Sequence, residues 1–139
     1  MAGKGKYTAL QDVDCEYSTT VYVGPYLYEL RWFNGLRDKY KRVGECQPDL
    51  FVIWIDSTIP PERQRMVAVH ELLHAVADLA GPPTEEEEDT VNRWAPPIWS
   101  LYRDNPYFMD WVCSDTPESF PEWEHRLSTV ATTPPEGVA

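Results

Sequence analysis

Apolar positions along this chain alternate, run together or recur by turns, and each pattern predicts a different element. From Tyr17 to Val23 the residues are mostly Thr, Val and Tyr, which suits a pleated, half-buried strand, and Gly24-Pro25 breaks it. From Tyr26 onward, Tyr26, Leu30, Phe33, Arg37 (through its stem) and Tyr40 recur at three and four. That spacing predicts a helix, interrupted only by Asn34-Gly35. Gly44 to Asp49 reads as a turn. Leu50 to Ile55, Leu-Phe-Val-Ile-Trp-Ile, is an unbroken apolar and β-branched run whose length suits a strand buried on both faces. Asp56-Ser57-Thr58 closes it.

Pro60-Pro61-Glu62 opens a helix, because Pro is tolerated in a first turn and an acid suits the positive end of the helix dipole. The helix is predicted from about Pro61 to Ala80, with Val69, Leu72, Leu73, Val76 and Ala80 as its apolar stripe. Gly81-Pro82-Pro83 stops it, with Gly available for a left-handed cap. Thr84 then caps a second helix whose apolar face is Val91, Trp94, Ala95, Ile98, Leu101 and Tyr102. Pro96-Pro97 is expected to kink or break that helix, and Asn105-Pro106 to end it. Tyr107 to Val112 is expected to be ordered. Beyond Cys113 the chain is rich in Pro, Ser, Thr and Glu. The domain plan is therefore a mobile arm over residues 1–6, one domain over 7–113, and a partly disordered tail over 114–139, with Thr132 to Ala139 disordered.

A length of 139 residues suits a single domain, and a hydrophobic share of 42% is enough for a real core. The formal net charge of −11 argues against nucleic acid as a partner, since phosphate neutralisation needs clustered Lys and Arg. The one basic cluster, Arg37 to Arg42, reads as a solvated helix face. Three cysteines at wide spacing, with no Cys-x-x-Cys, exclude a disulfide framework and favour reduced thiols in a cytoplasmic protein. No apolar run follows Met1 and none is long enough for a membrane span, so neither a signal peptide nor a membrane partner is expected.

Candidate chemistry lies in His70-Glu71-Leu72-Leu73-His74. On a helix, residues i and i+4 share one face, so both imidazoles reach one ion. Zinc takes neutral imidazole nitrogen and prefers four ligands. Glu71 stands about 100° round the helix from His70 and about 60° from His74. From there it flanks the ion without ligating it and suits a general base for water. The motif falls within a strongly predicted helix after an apolar strand. It also uses two of the three histidines in the chain.

A catalytic zinc usually has three protein ligands and one open position. The run Glu85-Glu86-Glu87-Glu88-Asp89 stands at the start of the second helix, where most acids simply favour the helix N-terminus. Thr84 with Glu87 fits a capping box, which leaves Glu88 as the best candidate. It lies three before Val91 and seven before Ala95, on the face expected to point inward. Glu87 and Asp89 stay open as alternatives. His125, in the tail, reads as a surface residue, and Asp78, one turn after His74, as a solvated acid or an orienting partner for an imidazole.

The segment Val69 to Ala75, followed by Glu88-Asp89-Thr90-Val91-Asn92-Arg93-Trp94-Ala95, resembles the ImmA/IrrE-like zinc metallopeptidases, and among them the small phage and prophage members. In that family a His-Glu-x-x-His helix precedes a helix reading roughly Glu-x-Gln-Ala-Asn-x-Phe-Ala, whose first Glu completes the zinc site. That register implies Glu88 as the third ligand. Ile53 to Asp56 before Pro-Pro-Glu, and Arg103-Asp104-Asn105-Pro106, also look like the phage members. The likeness covers about residues 50–110. Gln and Ala of the pattern are here Thr90 and Val91, and Pro96-Pro97 departs from a continuous helix.

The resulting expectation is an α+β, zincin-like domain, with a short sheet packed on the His-Glu-x-x-His helix and a second, ligand-bearing helix after it. The expected activity is zinc-dependent hydrolysis of a protein or peptide substrate, in the cytoplasm of a bacterial host if phage-encoded. A sheet edge beside the cleft suits an extended peptide. Tyr102, Arg103 and Tyr107 are candidates for stabilising the oxyanion. The rival expectation is an interaction module that keeps the fold, with structural or vestigial zinc.

Overall fold

A computed structural model of the chain describes residues 15–132. These form a mixed α+β unit with a four-stranded sheet and five α-helices. Strand β1 (Cys15–Val23) turns at Gly24-Pro25 into β2 (Tyr26–Phe33). A short helix, α1 (Leu36–Tyr40), leads to β3 (Gly44–Gln47), then a 3-10 turn (Pro48–Leu50) and β4 (Val52–Asp56). Four helices follow: α2 (Pro61–Ala80), α3 (Glu87–Asp104), α4 (Pro106–Val112) and α5 (Phe120–Thr132). The sheet order is β1-β2-β4-β3. β2 and β4 run parallel, and the hairpin β1/β2 and the pair β3/β4 are antiparallel. β3 is thus an edge strand, and it lies against α2.

One sheet face carries the main core. Val21, Val23, Tyr28, Leu30, Trp32, Ile53 and Ile55 meet Val67, Ala68, Leu72, Ala75 and Val76 of α2. Leu101, Phe108, Met109, Trp111, Phe120 and Trp123 close it from the later helices. The opposite face holds a smaller cluster of Phe33, Leu36, Val52 and Trp54. β4 is buried at every position but starts at Val52 rather than Leu50, because Leu50 ends the 3-10 turn and Phe51 takes a left-handed φ of 54, and both are exposed. α2 spans the expected residues, but its buried face is Val67, Ala68, Leu72, Ala75 and Val76, and Val69 and Leu73 of the expected stripe are exposed. Gly81 ends α2 at φ 91 and ψ 161, an extended left-hand conformation reserved for glycine rather than the expected helical left-handed cap.

Further expectations are corrected. Residues 26–33 form a strand, not a helix. Tyr28, Leu30 and Trp32 alternate onto the core face, and the two-residue Gly24-Pro25 turn returns the chain beside β1. The expected helix survives only as α1, after Gly35 at φ 77. Residues 44–47 form β3 rather than a turn; β4 supplies its hydrogen bonds and Cys46 packs on the main core. Pro96-Pro97 does not break α3. Both flanks are anchored: Trp94 Nε1 donates to the Gly81 carbonyl at 3.0 Å, Arg93 Nη2 donates to the Pro82 carbonyl at 2.9 Å, and Leu101 is buried. Finally, the chain beyond residue 113 is not simply a tail. Trp111 Nε1 donates to the Glu118 carbonyl at 3.0 Å, and α5 brings Phe120 and Trp123 into the aromatic core beside Trp32 and Phe108. The expected arm over 1–6, and all but the first residue of the disorder expected over Thr132 to Ala139, lie outside the described residues; Thr132 itself ends α5.

Two polar residues brace this frame. Asn105, buried between α3 and α4, pairs with the outer edge of β1: its Oδ1 accepts from the Tyr22 amide and its Nδ2 donates to the Tyr22 carbonyl, both at 2.8 Å. Asp56 closes β4 by accepting from the Thr58 amide and hydroxyl at 2.8 and 2.6 Å, and from the Arg37 amide at 2.7 Å. Burial alone would push the Asp56 carboxyl up. These hydrogen bonds and the Arg37 charge outweigh it and hold the carboxyl below its ordinary range.

Candidate metal centre

The middle of α2 faces the edge strand β3, and the chemistry lies between them. Leu72, Ala75 and Val76 anchor α2 to the sheet, which leaves His70 and His74 on the outer side, one turn apart and exposed. Their Nε2 atoms lie 3.3 Å apart. Two nitrogens bound to one zinc at about 2.05 Å and a tetrahedral angle are themselves about 3.3 Å apart. The same distance suits one ring N–H donating to the other ring.

Glu71 is 8% exposed, and its Oε2 lies 3.9 Å from His70 Nε2. Ligand atoms of His70, Glu71 and His74 all fall within 4.8 Å of one another, a group able to hold a metal ion. Burial pushes the Glu71 carboxyl above its ordinary range, and the two imidazoles pull it back only in part. A carboxylate raised in this way is a better proton acceptor for water near neutral pH than an exposed glutamate.

Gly44, the first residue of β3, makes this placement fit. A Cβ there would stand 2.5 Å from Val67 Cγ1 and 3.0 Å from Glu71 Oε2. β3 therefore approaches α2 closely only because residue 44 has no side chain. The sequence reading put Gly44 in a turn and missed this. A glycine opening a short segment before a buried strand is the signal that marks a close backbone approach.

Two hollows flank Glu71. One, of about 690 Å³, is lined by Val43, Gly44, Pro60, Met66, Val67 and His70 and by the charged Arg42, Glu62 and Arg63. The other, of about 530 Å³, is lined by His74, Cys46, Asp78 and the Pro82-Pro83 turn. Asp78 thus shares a wall with His74. Burial, and then the carboxylates of Glu71, Asp78 and Glu45, push the Cys46 thiol up to about 12. It stays protonated and offers no thiolate.

The structure does not bring Glu88 to this centre. Thr84 makes no capping box: its hydroxyl donates to the Glu86 carbonyl at 3.1 Å, and its amide to Thr90 Oγ1 at 2.9 Å. α3 starts at Glu87, and its inward face is Trp94, Ile98 and Leu101. Val91, 49% exposed, and Ala95 point away, so the face they share with Glu88 is the outer one. Glu87, Glu88 and Asp89 are all exposed. The other candidates also lie elsewhere. Arg103 sits over Trp99 and pairs with Asp104, Tyr107 packs on Trp123, Tyr102 is exposed, and His125 is exposed on α5.

Searches against protein-family models, curated proteins and solved structures found no match. No helix among the described residues is long and apolar enough to cross a membrane.

Proposed function

We propose that this chain is a zinc-dependent hydrolase of the zincin type that cleaves peptide bonds in a protein or peptide substrate. One observation carries the reading: two Nε2 atoms at tetrahedral ligand separation, 3.3 Å, with a buried carboxylate 3.9 Å from one of them. The donor chemistry suits zinc, with two imidazoles one turn apart, and besides Glu71 the described residues bring no further ligand to them. His70 and His74 would hold the ion. Zinc, when bound, acidifies a water and polarises a carbonyl. Glu71 would take a proton from the attacking water and return it to the leaving nitrogen. β3, an edge strand of the sheet among the described residues, runs beside the centre and suits an extended peptide, which would add to the sheet by main-chain hydrogen bonds. The resemblance to ImmA/IrrE-like metallopeptidases points the same way, although the third ligand it implies, Glu88, stands apart.

A second reading, an interaction module, is favoured by Met66, Val69 and Leu73, which are exposed on α2 around the two histidines. One variant separates the two. Glu71→Gln keeps the shape and both imidazoles. The zinc-loaded protein should keep its fold and metal content, while cleavage of a random peptide library, read by mass spectrometry, falls by about two orders of magnitude or more. Undiminished cleavage by Glu71→Gln would remove Glu71 from the mechanism. Absence of any cleavage by the zinc-loaded parent would leave the interaction module as the better account.

A further inference from the structure

We propose that the outer face of α3 is a homodimer interface, on which a second copy of this chain seats its own α3 antiparallel, across a two-fold axis at Ala95. The inference stands independently of the metal centre. Glu88, Val91, Ala95, Trp99 and Tyr102 recur at three and four along α3 and so form one stripe. All five are exposed. Trp99 is 62% exposed, Tyr102 51% and Val91 49%, on a helix whose inward face is already filled by Trp94, Ile98 and Leu101. Scattered exposed apolar residues are ordinary, but a continuous stripe of them marks a contact surface.

The occupant follows from the order of residues along the stripe. A carboxylate stands at one end, a phenol and a guanidinium at the other, and the smallest side chain in the middle. Glu88 lies seven residues before Ala95 and Tyr102 seven after it, while Val91 and Trp99 lie four before and four after. An antiparallel copy therefore sets Val91 against Trp99 and Glu88 against Tyr102, each twice. Arg103, held over the Trp99 ring at 4.5 Å, stands beside Tyr102 and meets the same carboxylate of the second copy. Ala95 at the crossing lets the two helices approach closely. Electrostatics choose the direction. Glu85 to Asp89 crowd the start of α3. At 1.5 Å per residue, antiparallel pairing holds the two acidic ends about 20 Å apart, well beyond the screening length of about 8 Å at physiological salt, whereas parallel pairing would stack them. Area sets the strength. Trp99 and Tyr102 together offer on the order of 250 Å² per chain, scaled from the area of an aromatic side chain. With Val91, Ala95, Pro96 and the polar rim, two copies bury about 1,000 Å², the lower limit for a specific interface. The dimer is therefore weak, with a Kd of about 1–100 μM.

Sedimentation equilibrium of the full chain at physiological salt tests this. As concentration rises to about 500 μM, the mass should move from the 16.1 kDa of one chain to twice that. Trp99→Glu should stay at the single-chain mass throughout, a loss of about a hundredfold or more in affinity, with its circular dichroism unchanged because the site is exposed. Leu50→Glu, which places the same charge on an exposed apolar residue of the 3-10 turn, should dimerise like the parent. Glu88→Arg and Arg103→Glu should each weaken the dimer about tenfold, by setting like charges together. The double variant Glu88→Arg/Arg103→Glu should regain the parent Kd to within about threefold, because the pair re-forms with its signs exchanged. A parent that stays monomeric at about 500 μM would overturn the dimer. A Trp99→Glu variant that dimerises like the parent, a Leu50→Glu variant that loses the dimer, or a double variant no tighter than the weaker single one would overturn the interface.

Discussion

Replacing Gly44 by Ala tests the closest contact in the molecule, the approach of β3 to α2. The new Cβ would meet Val67 Cγ1 at 2.5 Å, and Glu71 Oε2 and Cγ at 3.0 and 3.1 Å. Carbon atoms settle at about 3.5–4.0 Å, so about 1 Å or more must be found at Val67. Val67 is buried against the core. Val67, the strand or the helix must shift, at a cost of about 1–3 kcal/mol by analogy with overpacked cores. Val67→Ala alone should cost about 1.5 kcal/mol for two lost methyl groups. Together the two changes relieve one another, because the methyl removed is the one struck. Urea denaturation of the parent, both single variants and the double variant should therefore show a coupling of about 1–3 kcal/mol, with the double variant more stable than Gly44→Ala alone. Any displacement of Glu71 should also lower hydrolysis, by as much as about a hundredfold for a shift of 1 Å. Additive costs, within about 0.5 kcal/mol, would refute the close approach and the role given to Gly44.

Two further perturbations probe the frame and the second helix. Because the folded Asp56 carboxyl is held below its ordinary value of 3.8, it contributes stability that is fully present above that value and is lost as pH falls through the lower folded pKa. Asp56→Asn turns an amide donor toward one of the donors it now accepts from. It should cost about 1–3 kcal/mol at pH 7 and flatten the decline in stability below about pH 4; equal pH dependence in parent and variant would contradict this. Since Glu88 stands exposed and apart from the histidines, Glu88→Ala and Glu87→Ala should both keep the zinc affinity of the parent. Loss of zinc from Glu88→Ala alone would show that α3 sits closer to α2 than described.

The elements legible from sequence are those whose pattern has one physical solution. The run through β4 reads as a buried strand, true from Val52 on, and α2 combines a Pro start with a Gly-Pro-Pro stop, although its buried face is turned from the expected stripe so that Val69 and Leu73 lie outward; these two elements also carry and support His70, Glu71 and His74. β2 reads as a helix because Tyr26 and Leu30 fit a helical spacing with Phe33 and equally an alternating one with Tyr28 and Trp32, and only pairing with β1 decides between them. β3 carries no apolar alternation, since Glu45 and Gln47 interleave with Gly44 and Cys46, and its strand character comes from β4. The packing of α5 was hidden by composition: two aromatic residues, Phe120 and Trp123, bind a segment otherwise polar. The inward face of α3 was misjudged for a related reason. Val91 and Ala95 look like core positions, yet the bonds of Arg93 and Trp94 to the turn after α2 rotate the helix so that both face outward.

Metal content tests the central claim most directly. The chain, purified without chelator and dialysed against zinc, should hold about one zinc per chain by elemental analysis, as a single site requires. His74→Ala should hold none above a protein lacking the motif, with its fold intact by circular dichroism. A parent chain without stoichiometric zinc, or a His70→Ala/His74→Ala variant that keeps it, would contradict the account.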